Sequence, residues 1–330
     1  MRPDAPRRSH AIDSPRGVMG PIAIIRIHAT DMDALAQELD LKTPGVGGIA
    51  LDEPFGIDEA LLVRPAEDTL LVTPHGGVEI VRRISTRLAE LGVTLAETAD
   101  PMRVYPEACD IHEARMLEAL ARCESPRGVD LLLDQPRRWR NAGSEPDGAD
   151  PVLHRLLEAP IVVAMGRPNI GKSSLLNALA AERVALVWDQ EGTTRDHVGV
   201  RLVLDGLAVH WIDAPGITGA QDERDRPEIR ALAPVLERAA LVVCAHDASD
   251  PPGARVEAVE ALAPRGVDRI RVALRADLTP DHGHEDRALC VCSARTGEGI
   301  VDLARRVRSS LVPDAALGDP RPWPFWRAGV

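Results

Sequence analysis

The chain is expected to fold as α/β: a parallel sheet with helices on both faces, preceded by a smaller α/β unit and a short helical segment. Three observations point there. An unbroken apolar strand, Ile161-Val-Val-Ala-Met165, runs straight into a glycine-bearing turn and a leucine-spaced helix. From that turn to about residue 311, strand-like and helical stretches alternate. A separate set of short strands with one amphipathic helix lies between residues 21 and 100.

In chain order, residues 1–20 are rich in Arg and Pro and read as a flexible start. Residues 21–100 form the smaller α/β unit. Pro21–Ile27, Ala60–Arg64 and Thr69–Thr73 are strand-like there, and Val78, Val81, Ile84, Leu88 and Leu91 recur at helical spacing. Pro74-His75-Gly76-Gly77 feeds that helix and Gly92 ends it. Residues 101–157 are a partial helical domain and linker. They are helix-forming up to Arg122, broken at Pro126-Arg-Gly128, and polar from Gly143 to Pro151.

Residues 158–312 carry the main sheet. Val200–Leu204 and Leu207–Ile212 flank Asp205-Gly206, a two-residue hairpin signal. Further strands follow at Leu241–Ala245, Ile270–Leu274 and Ala288–Cys292, and the helix Ile300–Val307 closes the set. Residues 313–330 hold several prolines without periodicity and are expected to form a loose tail.

Composition narrows the functions available. Aromatics are only 2% and the formal net charge is -12, which argues against a surface built to grip or stack on nucleic acid. Cys109, Cys123, Cys244, Cys290 and Cys292 show no paired metal spacing and read as buried free thiols in a reducing compartment. No apolar run approaches the ~18 residues of a membrane span, and no signal-peptide pattern follows Met1–Gly17. A soluble cytoplasmic protein with no membrane contact is expected. Of 39 basic residues only Lys42 and Lys172 are lysines.

Lys172 falls in Gly166-Arg-Pro-Asn-Ile-Gly171-Lys172-Ser173, the phosphate-cradling loop pattern, placed after a buried strand and at a helix start. Backbone N–H groups of Asn169, Ile170, Gly171, Lys172, Ser173 and Ser174 are positioned to meet phosphate. Lys172 should reach the β- and γ-phosphates, and the Ser173 hydroxyl should ligate Mg2+. In Gly192-Thr193-Thr194-Arg195-Asp196, the Thr194 hydroxyl is chosen to complete the magnesium shell. Trp211-Ile-Asp213-Ala-Pro-Gly216 ends a strand in D-x-x-G. Asp213 should hold magnesium through water, and the Gly216 N–H should sense the γ-phosphate. This order of motifs specifies a P-loop NTPase with a Ras-like G domain.

Where such domains carry Asn-Lys-x-Asp, the chain reads Leu274-Arg275-Ala276-Asp277. Asp277 retains the acceptor for the guanine edge. Loss of the Asn amide should cost about 1–2 kcal/mol, as a lost hydrogen bond. Ser293-Ala294 stands where the last motif brings backbone to the base. GTP and GDP are thus favoured over adenine nucleotides.

The loop, the Gly-Thr-Thr-Arg-Asp segment and Asp-Ala-Pro-Gly together resemble those of the MnmE (TrmE) tRNA-modification GTPases and their relatives Era and Der. Ala23-Ile-Ile-Arg-Ile27, His75-Gly-Gly77 and Cys109-Asp-Ile-His-Glu-Ala114 are similar to the MnmE-type N-terminal α/β domain and the start of its helical domain. The resemblance runs from about Pro21 to Leu311. It implies K+ bound by Asn169 and Thr193, with Asp225 the nearest match to the acidic residue that positions water. It also implies a homodimer through the N-terminal domain and a tRNA or tRNA-modification partner, with action on the wobble uridine.

Departures from the family are equally specific. The second helical segment and the Cys-x-Gly-Lys ending are absent from this sequence. Of the folate-contacting positions, Arg26 matches, whereas Leu71 replaces an acid and Ala108 replaces a lysine. Folate chemistry is in doubt on those grounds. Two alternatives to a GTP-hydrolysing tRNA-modification protein follow: a degenerate nucleotide-binding regulatory switch, or an Era/Der-like ribosome-assembly GTPase. The second alternative needs an RNA-binding module that this acidic, aromatic-poor chain does not offer.

Overall fold

A computed structural model describes residues 8–12, 21–95, 101–105, 107–142, 150–182, 198–217, 226–250, 259–278 and 289–326. The chain divides into two compact units, Met1–Ala114 and Arg115–Val330.

The first unit is built on six strands: β1 (Arg8–Ile12), β2 (Ile25–Ala29), β3 (Ile49–Asp52), β4 (Ala60–Ala66), β5 (Thr69–Thr73) and β6 (Thr94–Leu95). They lie in the order β3-β4-β5-β2-β1-β6, antiparallel except for the parallel β1–β6 pair. Alternation along β2, β4 and β5 turns Ile25, Ile27, Leu62, Leu70 and Val72 to one core. Helix α1 (Met32–Leu39) adds Met32, Leu35, Ala36 and Leu39, and α2 (Val78–Glu90) adds Ile84 and Leu88. The Asp31 side chain caps α1 by accepting from the Ala34 N–H at 2.9 Å. Ile49, Leu51 and Leu61, on the facing strands β3 and β4, remain exposed.

Strand β1 lies inside the stretch expected to be flexible. The Arg/Pro surroundings hid it, but the segment Arg-Ser-His-Ala-Ile pairs with β2 over its full length. Its centre is His10, which is buried between the Ser85 hydroxyl (2.6 Å) and the Val93 carbonyl (3.0 Å). Burial lowers the His10 pKa below the ordinary imidazole range, partly opposed by the Val93 carbonyl. As pH falls through about 6.5 the unfolded chain therefore takes up the proton first, and the folded unit loses stability below that point. Denaturant midpoints followed by circular dichroism are expected to fall between about pH 7.5 and about pH 5.5. An equal fall in His10→Gln would assign the effect to another group.

Four helices follow: α3 (Pro101–Val104), α4 (Ile111–Arg122), α5 (Pro126–Asn141) and α6 (Pro151–His154). The unit boundary falls within α4, after Ala114. Pro126-Arg-Gly128, expected as a break, instead opens α5. Proline is favoured at the first helical position because its missing N–H would lack a helical partner there.

The second sheet contains β7 (Ile161–Gly166), β8 (Val198–Leu204), β9 (Leu207–Asp213), β10 (Leu241–Asp247), β11 (Asp268–Leu274) and β12 (Leu289–Val291). Their order is β12-β11-β10-β7-β9-β8, parallel except for β8–β9. The strands are apolar on both faces, and alternate residues feed separate cores. Val162 and Ala164 of β7 pack with α5, α7 (Lys172–Glu182) and α9 (Ile300–Leu311). Val163 and Met165 pack with Ile229, Leu232 and Leu236 of α8 (Pro227–Glu237). This is the doubly covered α/β sheet expected from the continuous apolar strands.

The β8–β9 turn is the two-residue hairpin that Asp205-Gly206 signals, with Leu204 opposite Leu207. Both residues have positive φ (45° and 82°), which suits the twist of the pair. Two arginines hold the turn. Arg127 donates to the Asp205 carbonyl (2.5 Å) and carboxylate (2.9 Å), and buried Arg308 donates to the other carboxylate oxygen (2.9 Å).

The expected loose tail is packed through residue 326. Helix α10 (Asp314–Leu317) forms, and Trp323 and Phe325 enter the same core as α5. The buried Gln135 side chain accepts from the Trp323 N–H (2.7 Å), and the Trp139 indole donates to the Trp323 carbonyl (3.1 Å). The prolines end regular structure without preventing burial of the aromatic rings between them.

Candidate functional site

The site residues converge on the ends of parallel strands β7, β10 and β11 and on the residue that ends β9. This is the carboxyl edge where open α/β sheets bind ligands. The central strand β7 ends in the loop Gly166–Gly171, and α7 begins at Lys172, so the free N–H groups of that helix face the loop. Lys172 is only 8% exposed. Its ammonium donates to the Gly166 carbonyl at 3.3 Å and the Arg167 carbonyl at 3.0 Å, which curls the side chain over the loop. Burial lowers the Lys172 pKa and the Asp213 carboxylate opposes that shift. Phosphate oxygens brought to this ammonium would offset the burial penalty further.

Asp213 is the last residue of β9. Its Oδ2 accepts from the Ser173 hydroxyl at 2.6 Å, while Oδ1 is buried without a hydrogen-bond partner. A buried carboxylate oxygen lacking a donor is costly unless something positive meets it. The neighbouring hydroxyl and carboxylate are the hard oxygen donors that Mg2+ prefers. Ser173 and Asp213 therefore fit the cation. Just beyond, Gly216 passes so close to the phosphate loop that a Cβ there would lie 2.5 Å from the Pro168 ring. Only glycine allows that approach. Thr193, Thr194 and Asp225 lie outside the described residues.

Asp277 lies in a single turn, Ala276–Leu278, directly after β11, and Ser293 and Ala294 follow β12. The Ser293 hydroxyl donates to Asp277 Oδ1 at 2.5 Å, and Arg295 Nε donates to Oδ2 at 2.7 Å. The Ser293 hydroxyl first, and then Arg295, hold the Asp277 carboxyl below the usual carboxylate range. It is ionised at neutral pH, so both of its oxygens are hydrogen-bond acceptors. Leu274, in place of the Asn amide, is 2% exposed and belongs to the core on the α7 side of the sheet.

Two ion pairs at this edge were not legible in the sequence, Arg275 with Asp247 and Arg167 with Asp250. Arg275, in a positive-φ conformation, donates to the Asp247 carboxylate (2.9 Å) and to the Asn169 carbonyl, joining the phosphate loop to the ends of β10 and β11. Asp247 also accepts from the Ser249 backbone and hydroxyl. Burial works against its charge, but these partners outweigh it and hold the carboxyl low. Arg167 pairs with Asp250. The available signal was position: Asp247 ends a parallel strand next to β7. In the first unit, Arg26 stands opposite Leu71 and donates to the Val104 carbonyl (3.3 Å), and Ala108 is buried. Leu71 and Ala108 supply neither the acid nor the lysine that the resemblance implies at those positions, and only Arg26 matches.

Known proteins resemble this chain at several levels. A family model described as 50S ribosome-binding GTPase matches residues 161–274. The tRNA modification GTPase MnmE of Laribacter hongkongensis is 31% identical over a 353-residue alignment, covering 87% of this chain and 78% of that protein. The corresponding protein of Acidiphilium cryptum is 38% identical over 179 residues, covering 54% of this chain and 39% of that protein. Among solved structures, the cytosolic domain of the T. maritima FeoB iron transporter covers 47% of this chain at 22% identity and a TM-score of 0.39.

Proposed function

Since this chain belongs to the MnmE family of tRNA modification GTPases, we propose that it couples Mg2+-dependent GTP hydrolysis, stimulated by K+, to modification of the tRNA wobble uridine. The observation that carries the nucleotide half is the Lys172–Ser173–Asp213 cluster. A buried ammonium lies over the loop, and a hydroxyl–carboxylate pair beside it leaves one carboxylate oxygen unmatched.

On this reading the loop and α7 N–H groups bind the phosphates. Lys172 neutralises β- and γ-oxygens, and Ser173 and Asp213 hold magnesium, which supplies charge stabilisation at the transferring phosphoryl group. Gly216 senses the γ-phosphate, with Thr194 completing the magnesium shell. Asn169 and Thr193 hold potassium near the phosphates, and Asp225 positions the attacking water. Ile217 follows Gly216, so no glutamine stands at that position to orient water. The N-terminal unit serves as a homodimer interface, supported by the exposed Ile49, Leu51 and Leu61. Among the described residues no helix is long and apolar enough to cross a membrane, and the proposed location is the cytoplasm.

One observation favours a second reading, a regulatory switch without tRNA chemistry. Leu71, opposite Arg26 across the strands, and Ala108 stand where the family carries an acid and a lysine. Turnover of GTP, ATP and xanthosine triphosphate, each in potassium and in sodium, separates the two. GTP hydrolysis is expected to be at least about tenfold faster in potassium, a small part of the about 10³–10⁵ that an arginine finger supplies elsewhere. Equal rates in the two salts would remove potassium from the proposal. GTP binding without turnover would establish the switch.

A further inference from the structure

The carboxylate read above as the guanine acceptor already has a cation on it. Guanine presents two neighbouring donors, N1–H and the 2-amino group, so its recognition engages both oxygens of Asp277. Oδ1 shares its capacity with the buried Ser293 hydroxyl, which belongs to the fold and has lone-pair directions to spare. Oδ2 is bonded by Arg295 Nε at 2.7 Å. The Asp277 side chain is 10% exposed and that of Arg295 is 70% exposed, so the guanidinium forms the solvent side of the pair. Among the described residues the Arg295 side chain bonds only Asp277, and its backbone lies in the turn where Ser293 N–H bonds the Glu298 carbonyl and Gly297 N–H bonds the Ser293 carbonyl. Its side chain can leave without disturbing either the core or Ser293.

We propose that Arg295 is a self-competitor at the base site: its guanidinium holds the Asp277 carboxylate in the nucleotide-free protein and must be displaced when guanine binds. This rests on the reading of Asp277 as the base acceptor. Ser293 then orients the carboxylate for guanine, while Arg295 sets how readily the pocket accepts it. Because the competing pair faces solvent, its strength depends on ionic strength.

The test is equilibrium titration of the full chain with a fluorescent GDP analogue and with the matching ADP analogue. Wild type, Arg295→Ala and Arg295→Lys are compared. Arg295→Ala is expected to bind the GDP analogue about twofold to fivefold tighter at about 0.1 M salt, the factor typical of an exposed ion pair. That advantage should vanish near 1 M salt, where the Debye length is about 3 Å. Arg295→Lys, which keeps the charge, should stay near wild type, and ADP binding should not tighten in either variant.

Equal or weaker GDP binding by Arg295→Ala, with wild type binding well, overturns the competition and leaves the guanine site intact. An equal gain for ADP overturns it too, because the effect would then not act through base recognition. Failure of every form to bind GDP removes the guanine-site reading and this proposal together.

Discussion

Lys172→Ala is expected to lower affinity for magnesium–GTP by about 10- to 100-fold, the range for losing charge-assisted hydrogen bonds to phosphate. The upper end is favoured because the neighbouring cations are committed: Arg167 to Asp250, and Arg275 to Asp247 and the Asn169 carbonyl. Isothermal titration reads the loss, and a thermal melt of the same sample confirms that the fold remains. The harder test is Lys172→Arg. It preserves charge, but the lysine is 8% exposed and a planar guanidinium is wider than the space the ammonium fills. It should lose most of the affinity as well. Unchanged affinity in Lys172→Ala would remove the phosphate site from the loop.

Trp323→Ala is expected to destabilise the second unit by about 3 kcal/mol, the lower end for removing a buried aromatic ring. The lower end applies because the Trp323 indole N–H is buried without a hydrogen-bond partner, so its removal relieves a cost that offsets part of the lost packing. The backbone bonds to Gln135 and Trp139 survive the substitution, so the loss reports the indole side chain, its packing less the cost of its unpaired N–H, and not these bonds. Urea denaturation should show a lower midpoint, with Trp323→Phe recovering part of it. A midpoint unchanged in Trp323→Ala would mean that the Trp323 ring contributes nothing to the stability of this unit.

These two residues also show what was legible in the sequence. The phosphate loop could be read because its chemistry is local: strand, turn and helix start are contiguous, and a lysine stands out in a chain otherwise rich in arginine. Asp213 and Gly216 followed from their order after it. The hairpin at Asp205-Gly206 was legible for the same reason. The docking of Trp323 was not, since its partners Gln135 and Trp139 are far away in the chain and proline-rich segments carry no periodicity. Strand β1 was hidden likewise, because nothing local to His10 announces Ser85 and Val93. At the base site Asp277 could be named from spacing, but the ion pair with Arg295 depends on how two loops meet.

The clasp on the β8–β9 turn has a mechanical consequence. Asp213 lies at one end of β9 and the turn lies at the other, pinned by Arg127 and Arg308. A two-residue slip of the hairpin along β7 would carry Asp205 about 7 Å from both guanidinium groups. That slip would strand the buried Arg308 without its Asp205 partner, although its bond to Asp314 would remain. On the proposed role of Asp213, any shift there would have to be met by bending about this fixed far end, which would make the hairpin a hinged lever rather than a sliding bolt.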